Sequence, residues 1–452
     1  MPAQNPKTLK QRALRAGGWI FFGYGVAQVL RLGSNLLMTR LLVPEMFGVM
    51  VIATMVSMIL AMLSDLGVHQ NIVQSRRGDD PAFLNTAWAV GVIRGVVLWV
   101  IAVLISLALY LADGAGLVAP SSVYAAPVLP LVIAVSSLSA IINGFISTNM
   151  SAAGRRLDQK RIIQIDLISQ IMAMTVMIIF GTITRSIWAL VAGSLVASMT
   201  RTLLSHTWMS GLPNRFHWEK KAVRELISFG KWIYFASIVS VLASQGDRLL
   251  LGGYLNGHDM GLYAIAILIT GSIAIGVYQI FNSVALPTLS EVARNEPGRL
   301  REIYYKFRVP LDLGLLFLAG FLYACGQLVI DLLYDHRYEG AGGMLRVLAL
   351  SLVALRYDVA HQIYLALGIP RYLAVIKFVQ FVSLYTLVPL LYYGAGTQAA
   401  VWGVALHGLA TVPLMFYLNA KLGLNDFRRE AVFLLAFPVG VLFGAGLRAL
   451  WG

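Results

Sequence analysis

The sequence has little charge and almost no cysteine. Only 12% of its 452 residues are Asp, Glu, Lys or Arg, whereas a soluble globular domain has about 25%. Its single cysteine, Cys325, excludes an internal disulfide framework. Apolar residues make up 58% of the chain. This composition excludes an ordinary cytosolic enzyme, a disordered protein and a secreted disulfide scaffold.

The apolar residues are too many for one soluble core, because soluble chains split into separate cores beyond about 250–300 residues. The mean hydropathy of +0.75 indicates an all-α polytopic membrane protein, since a spanning helix needs about 20 mostly apolar residues. The sequence predicts about 12–13 transmembrane helices, at residues 17–39, 47–64, 84–111, 124–149, 162–183, 187–210, 232–255, 262–287, 310–333, 343–367, 372–393 and 399–420, with a thirteenth apolar run at 431–451.

Lys and Arg are concentrated in alternate loops. The basic N-terminal segment 1–16 and every second loop contain most of them, and short cationic loops stay in the cytoplasm. We therefore expect a multi-pass protein of the bacterial inner membrane with a cytoplasmic N-terminus. The net charge of +14 is explained by this topology, so it predicts no nucleic-acid partner.

The chain is organised in two halves. Residues 211–231 form the longest hydrophilic stretch, and their apolar spacing predicts an amphipathic cytoplasmic linker helix. It separates a six-helix lobe at 17–210 from another at 232–420, and an extra apolar helix follows at 421–452. The sequences FGVMVIA at 47–53 and MGLYAIA at 260–266 occupy matching positions. The echo favours a parallel repeat with a substrate site between the lobes.

Motifs of enzymatic chemistry are missing. The seven histidines are scattered, with no pair at metal-ligand spacing, and no Gly-Lys-Ser/Thr phosphate-binding loop occurs. No long outer loop could form the catalytic region of a membrane-embedded glycosyltransferase or polymerase. We therefore expect no enzymatic activity, no cofactor and no metal, and favour a secondary transporter or flippase over a non-transporting scaffold.

Several arginines lie deep within predicted spans, where an ionised side chain costs about 2.5–3.5 kcal/mol unless it faces a cavity or a partner. Because the guanidinium fork suits phosphate groups, these residues predict a cationic chamber for a phosphate or pyrophosphate. Polar groups on helical stripes would line it, although helix–helix contacts explain single serines as well. The candidate substrate-binding residues are Arg31, Arg94, Arg201, Arg356, Arg248, Gln28, Asn35 and Asn143.

Acidic residues within or near the spans are coupling candidates. Asp166 and Asp247 are the main ones, and Asp358 could titrate as well. Asp247 is adjacent to Arg248, which favours a structural ion pair. Asp312 lies near the cytoplasmic end of its span, where we expect solvation. The apolar middle of that ninth span predicts a peripheral helix, and no coupling ion is identified.

The chain resembles the bacterial polysaccharide transporters, the oligosaccharide-lipid flippases of the multidrug/oligosaccharidyl-lipid/polysaccharide exporter superfamily. The resemblance runs from about residue 15 to 420. Its motifs are RLLVPEMFG at 40–48, SDLGVHQNIVQ at 64–74, GDRLLLG at 246–252, GLYAIA at 261–266, LPTLS at 286–290, LRVLA at 345–349 and ALGIP at 366–370.

This resemblance implies two six-helix lobes in a V-shaped arrangement with a central cavity. It also implies export of an undecaprenyl-pyrophosphate-linked oligosaccharide for exopolysaccharide or O-antigen assembly. The expected partners are the lipid-linked oligosaccharide, membrane lipid and other polysaccharide assembly proteins. The alternative is a cation-coupled multidrug exporter of the same superfamily, which predicts a cavity dominated by acidic residues. Family members often have fourteen helices, which leaves the topology of the C-terminal segment open.

Overall fold

The computed structural model describes residues 6–64, 68, 71–72, 75, 77–156, 158–281, 285–360 and 363–451. Residues 6–16, 227–239, 280, 359 and 451 are described at the level of the backbone. The first five residues of the predicted N-terminal segment lie outside this range. Most of the motif at 64–74 also lies outside it.

The described chain is helical and contains no strand. Helix starts follow local sequence rules, since proline is tolerated in the first turn and begins α2, α3 and α16. The first nine helices are α1 Pro6–Leu41, α2 Pro44–Leu63, α3 Pro81–Gly114, α4 Leu129–Ser136, α5 Leu138–Gly144, α6 Asn149–Arg155, α7 Gln159–Thr184, α8 Trp188–Thr207 and α9 Lys220–Tyr254.

Ten further helices follow, among them a long α16 that is kinked at Ala395 and Gly396. They are α10 Gly257–Ile280, α11 Leu286–Asn295, α12 Leu300–Leu333, α13 Gly340–Leu348, α14 Ser351–Ala360, α15 Ile363–Ala366, α16 Pro370–Leu406, α17 Val412–Lys421, α18 Phe427–Phe433 and α19 Ala436–Trp451.

The protein is an all-α multi-pass membrane protein. Seven helical segments in the described ranges are long and apolar enough to cross a bilayer, or eight if the bent segment from Leu129 to Arg155 is one span. Each of the thirteen predicted spans coincides with one or more helices. The predicted tenth span is broken into α13, α14 and α15, and α16 runs through both predicted spans 372–393 and the start of 399–420.

The chain divides into two compact units. Unit 1 comprises residues 1–120 and 124–241, and unit 2 comprises residues 121–123 and 242–452. The boundary lies inside the continuous helix α9, so the predicted linker helix 211–231 does not end before the seventh span. Its amphipathic pattern is nevertheless satisfied, because Leu226 is buried against Phe83 while Lys220 and Arg224 are exposed.

Small residues allow the helices of unit 1 to approach closely, as is common in membrane bundles. A Cβ at Gly95 would lie 2.5 Å from the carbonyl oxygen of Ala140, so α3 and α5 touch through their backbones. Helix α7 packs against both α1 and α8. These three helices present most of the candidate residues of unit 1.

In unit 2, the ninth predicted span lies in the interior, which corrects the expectation of a peripheral helix. Helix α12 contributes Leu315, Ala319 and Leu322 to the largest buried cluster of the unit. It also packs directly on α19, because a Cβ at Gly320 would lie 2.1 Å from the carbonyl oxygen of Phe437. The thirteenth predicted span is therefore an integral part of unit 2.

Candidate functional site

Arg201 and Asp166 form an ion pair in unit 1 between α8 and α7. The Arg201 Nε lies 3.0 Å from Asp166 Oδ1, and the side chains are 43% and 45% exposed. Each side chain is thus partly accessible although Arg201 Nε itself is buried, and the pair joins a substrate candidate to a coupling candidate. An incoming anion could compete with the carboxylate for the guanidinium.

Arg31 lies on the neighbouring helix α1 and is exposed. A Cβ at Gly23 would contact Ile163, and Gln170 Nε2 donates to the carbonyl of Ala27 at 2.9 Å. In this register, Asp166 lies closer to the N-terminal ends of α1 and α7 than Arg31 does, by roughly six residues or about 9 Å along the helix axes. Arg31 and the Arg201–Asp166 pair therefore lie about 9 Å apart along the axes of the unit 1 helices.

Two amides share the polar stripe of α1 with Arg31. Gln28 is half-buried, and its Nε2 is fully buried with no hydrogen-bond partner among the described residues. Asn35 is half-buried one turn beyond Arg31. Because a buried unpaired donor is costly, Gln28 is a strong candidate for contact with a ligand or water. Asn143, on α5, is exposed.

Arg94 has a structural position that differs from the prediction. Its Nε donates to Ser64 Oγ at 2.9 Å, and its Nη2 donates to the carbonyl of Ala61 at 2.5 Å. The last carbonyls of a helix lack partners within the helix, and a cation is favourable at that end. Arg94 thus caps the C-terminus of α2, which explains a charge at this depth without a ligand.

Asp247 and Arg248 in unit 2 have separate partners, which corrects the predicted ion pair. The Tyr263 hydroxyl donates to Asp247 Oδ2, and Arg248 Nη1 donates to Gln245 Oε1. Asp247 is 9% exposed. Adjacent residues on a helix point in different directions, so sequence neighbours seldom form such a pair.

Arg356 is fully buried in unit 2, which corrects its prediction as a residue lining an open chamber. Its Nη2 lies 3.3 Å from Glu430 Oε2, and its Nη1 lies 3.9 Å from Asp312 Oδ2. Arg308 Nη2 donates to the same Asp312 oxygen at 2.7 Å, and Arg308 Nη1 donates to Glu430 Oε1. The four residues form a ring of alternating charge, here called the ionic ring.

The ionic ring is enclosed by protein. Both arginine side chains are 1% exposed, Asp312 is 0% exposed and Glu430 is 7% exposed. The guanidinium of Arg356 lies 4.3 Å from the centre of the Tyr357 ring. With two cations and two carboxylates, the ring has no formal net charge and no open face for an anion. Its ion pairs connect α12, α14 and α18.

The ionic ring was not predicted from the sequence. The expectation that Asp312 is solvated is wrong, because its side chain is buried and paired with Arg308. Arg308 and Glu430 were absent from the candidates because both lie in strongly basic segments that the topology rule assigns to loops. The spacing of four residues between Arg308 and Asp312 is the pattern that indicates a helical ion pair. Nothing in the sequence indicates that Glu430 contacts them from about 120 residues away.

A second polar cluster in unit 2 surrounds Asp358. Gln380 Nε2 donates to both carboxylate oxygens at 3.0 Å, and Lys377 Nζ lies 3.5 Å from Oδ1. Lys377 also donates to Gln380 Oε1 at 2.8 Å. The ammonium group thus neutralises Asp358. Among the described residues, no cluster of three or more His, Cys, Asp or Glu side chains has the arrangement of a metal site.

Comparison with known sequences places this architecture in context. The model of the family described as "Polysaccharide biosynthesis protein" matches residues 37–342. An uncharacterized membrane protein in the cps region of Klebsiella pneumoniae is 22% identical over 305 residues. That match covers 66% of this chain and 59% of the relative, so the chain spans less than two thirds of the relative's length.

Solved structures share the fold. An inward-facing multidrug resistance MATE family transporter of the MOP superfamily has a TM-score of 0.69 and 13% identity, with 88% of this chain and 94% of that chain covered. The lipid II flippase MurJ in an inward closed conformation has a TM-score of 0.68 and 13% identity, with 95% and 91% covered. At these identities the likeness concerns the fold alone.

Proposed function

Because this chain belongs to the polysaccharide biosynthesis protein family, we propose that it is a flippase. Its substrate would be an undecaprenyl-pyrophosphate-linked oligosaccharide repeat unit, moved across the bacterial inner membrane by alternating access. The family and the fold of MOP-superfamily transporters support a transporter of this kind. The lipid-linked substrate, the inner membrane and the cytoplasmic N-terminus belong to the proposal.

The observation that supports the proposal best is the exposed cationic group of unit 1. Arg31 is exposed, the Arg201 side chain is 43% exposed, and both residues lie on helices that pack against α7. Arginine holds a pyrophosphate through paired hydrogen bonds. Gln28 offers an unpaired buried donor on the same stripe. In the proposal these groups bind the head group, with Asn35 and Asn143 solvating sugar hydroxyls.

Asp166 has a defined part in this proposal. While no substrate is bound, its carboxylate balances Arg201 across 3.0 Å. A bound pyrophosphate would replace this carboxylate and leave Asp166 free to take up a proton. Coupling through Asp166 therefore links substrate capture to protonation. Asp247 stays a second coupling candidate in unit 2.

The proposal is tested in a deletion strain that lacks this protein. We expect lipid-linked repeat units to accumulate on the cytoplasmic leaflet and surface polysaccharide to disappear. Complementation with Arg31→Ala or Arg201→Ala should fail although the variants are expressed normally. Arg224→Ala, which removes an exposed arginine from α9, is the matched control and should restore export.

Two results would refute the proposal. Full export by both arginine variants would remove the head-group site. Normal polysaccharide in the deletion strain, together with cation-dependent resistance to cationic drugs on expression of the protein, would favour the multidrug exporter instead.

A further inference from the structure

A cleft lies in unit 2 where three helical segments come together. It has a volume of about 240 Å³ and is lined by the start of α10, the start of α13 and the part of α16 that follows its kink. Under the proposed topology, these segments lie on the non-cytoplasmic side of the membrane. The cleft is separate from the ionic ring, with which it shares no lining residue.

The wall of the cleft combines polar side chains with one large aromatic ring. Asp259, Thr397 and Gln398 contribute a carboxylate, a hydroxyl and an amide, and Trp402 contributes an indole that is 37% exposed. Specific small-molecule sites combine apolar or aromatic walls with a few fixed polar groups in the same way.

The carboxylate of Asp259 is held in place by the N-terminal cap of α10. Asn256 Nδ2 donates to Asp259 Oδ2 at 3.1 Å, and the Asp259 backbone N–H donates to Asn256 Oδ1 at 2.8 Å. One carboxylate oxygen, Oδ2, is therefore oriented by the protein.

Two glycines create the shape of the cleft. Gly396 has φ +83° and ψ −165°, a conformation restricted almost entirely to glycine, and it bends α16 just before Thr397 and Gln398. Gly343 has no atom within 4 Å of the position where its Cβ would be, so its missing side chain leaves open space on α13. A backbone conformation that few residues other than glycine adopt, next to an opening of ligand size, is typical of a functional site.

The charge of the lining excludes the head group as the occupant. Asp259 is the one charged residue among those that line the cleft in the described structure, and a lone carboxylate repels phosphate. Sugar hydroxyl groups suit this lining, because the carboxylate accepts hydrogen bonds and the amide both accepts and donates them. The apolar face of Trp402 suits the C–H face of a sugar ring.

We propose that this cleft binds a neutral hexopyranose ring of the glycan. The inference rests on the proposed function for the source of the glycan, which is the transported repeat unit or the polysaccharide outside the cell. Asp259 and Gln398 would hydrogen-bond neighbouring hydroxyls, and Trp402 would stack on the ring.

The test uses the full-length protein in lipid nanodiscs with methyl glycosides of glucose, galactose, mannose and N-acetylglucosamine. Saturation-transfer NMR and calorimetry should detect binding of at least one of them. Trp402→Ala should weaken that binding about tenfold, and Gly343→Phe should abolish it by filling the cleft. Trp218→Ala, which removes an exposed tryptophan of unit 1, is the matched control and should bind as the unmodified protein does.

Thermal unfolding of every variant shows whether it is folded. If Gly343→Phe does not fold, Gln398→Ala replaces it, with a smaller expected loss of affinity. Absence of glycoside binding to the unmodified protein would overturn the inference. Unchanged affinity in folded Trp402→Ala would overturn it too.

Competition shows whether the cleft recognises the sugar itself or only the lipid-linked unit. Displacement of the methyl glycoside by the oligosaccharide released from its lipid carrier supports recognition of the sugar itself. Displacement by the intact lipid-linked unit alone would overturn that recognition. These binding results are independent of transport. If glycoside binding fails and complementation succeeds, the proposed flippase function stands. If binding succeeds and complementation fails, the cleft is a glycan site on a protein of another function.

Discussion

Units 1 and 2 both place arginine against carboxylate among apolar helices, but in opposite environments. In unit 1, Arg201 and Asp166 form one pair whose side chains are nearly half exposed. In unit 2, Arg308 and Arg356 meet two carboxylates in a ring whose arginines are 1% exposed. The same residue types therefore serve a site that a ligand can reach in one unit and a closed internal network in the other.

The difference shows why depth alone does not identify a binding residue. A desolvated charge needs a partner whether or not a substrate binds, and the ionic ring satisfies that need within the protein. An exposed pair has weak mutual attraction, about 0–1 kcal/mol, so an anion can exchange with its carboxylate. The exposure of an arginine and the identity of its partners distinguish a binding role from a structural role more reliably than its position along a span does.

The largest expected effect is at the ionic ring. Arg356→Met leaves Glu430 and Asp312 with one arginine between them in a buried space, so it should destabilise the protein by about 3–5 kcal/mol. Equilibrium unfolding of the purified protein in mixed detergent micelles measures this loss. A change below about 1 kcal/mol would contradict the structural role of the ring.

A double variant sharpens that result. Arg356→Met combined with Glu430→Gln removes one charge of each sign and keeps the Arg308–Asp312 pair. Because the uncompensated charge is then gone, the double variant should recover much of the lost stability. A strictly additive loss would show that the two residues do not interact.

The next largest effect concerns the contact between α12 and α19, which adds the C-terminal helix to unit 2. Gly320→Leu would drive a side chain into the backbone at Phe437, and overpacking of this kind costs about 1–3 kcal/mol. Gly446→Leu is the matched control on α19, because nothing lies within 4 Å of its Cβ position. We expect the same unfolding assay to show a loss of stability for Gly320→Leu and no loss for Gly446→Leu, since leucine favours a helix more than glycine does.

A smaller stability change, with a large functional one, is expected in unit 1. Arg201→Ala should alter stability by less than about 1 kcal/mol, since both partners are exposed, but should abolish polysaccharide export. Unfolding and complementation measured on the same variant test this separation. Destabilisation equal to that of Arg356→Met would erase the contrast between the units.

The smallest effect is at the loop before α3, where Arg77 donates to Asp80 at 2.6 Å and lowers the pKa of that carboxyl. A lowered folded-state pKa contributes stability above the unfolded-state pKa, and this contribution is lost as the pH falls. Asp80→Asn should therefore cost a few tenths of a kcal/mol at neutral pH, because Asn also caps helices well. The difference in melting temperature should begin to shrink near pH 4, the unfolded-state value, and should vanish only below the lowered folded-state pKa of Asp80. A difference that does not shrink as the pH falls would contradict the charge effect.

Much of the fold was predictable from the sequence. Each of the thirteen apolar runs contains helix in the residues that the structure describes, and the family resemblance drawn from motifs such as GDRLLLG at 246–252 is confirmed by the family match. The kink at Gly396 and the break between α13 and α14 were not predicted. Hydropathy averages over a window of about 19 residues, so it does not detect a change of direction within an apolar run.

The candidate site was predicted less completely. Arg31 and Arg201 lie on helices that both pack against α7, but Arg94 caps a helix and Arg356 belongs to the ionic ring. Convergence of arginines from both halves on one chamber stays a prediction. Helical spacing places residues on a face, but it does not say what that face contacts.

Composition by itself determined that this chain enters a membrane as a series of helices, because apolar side chains favour lipid and a helix satisfies the polar groups of its backbone within its own segment. Tertiary structure decided which charged side chains are paired with each other and which a ligand can reach. Whether Arg308 meets Glu430, and whether Asp166 keeps Arg201 within reach of a ligand, depends on helices distant in sequence, because electrostatic energy depends on separation in space and on burial.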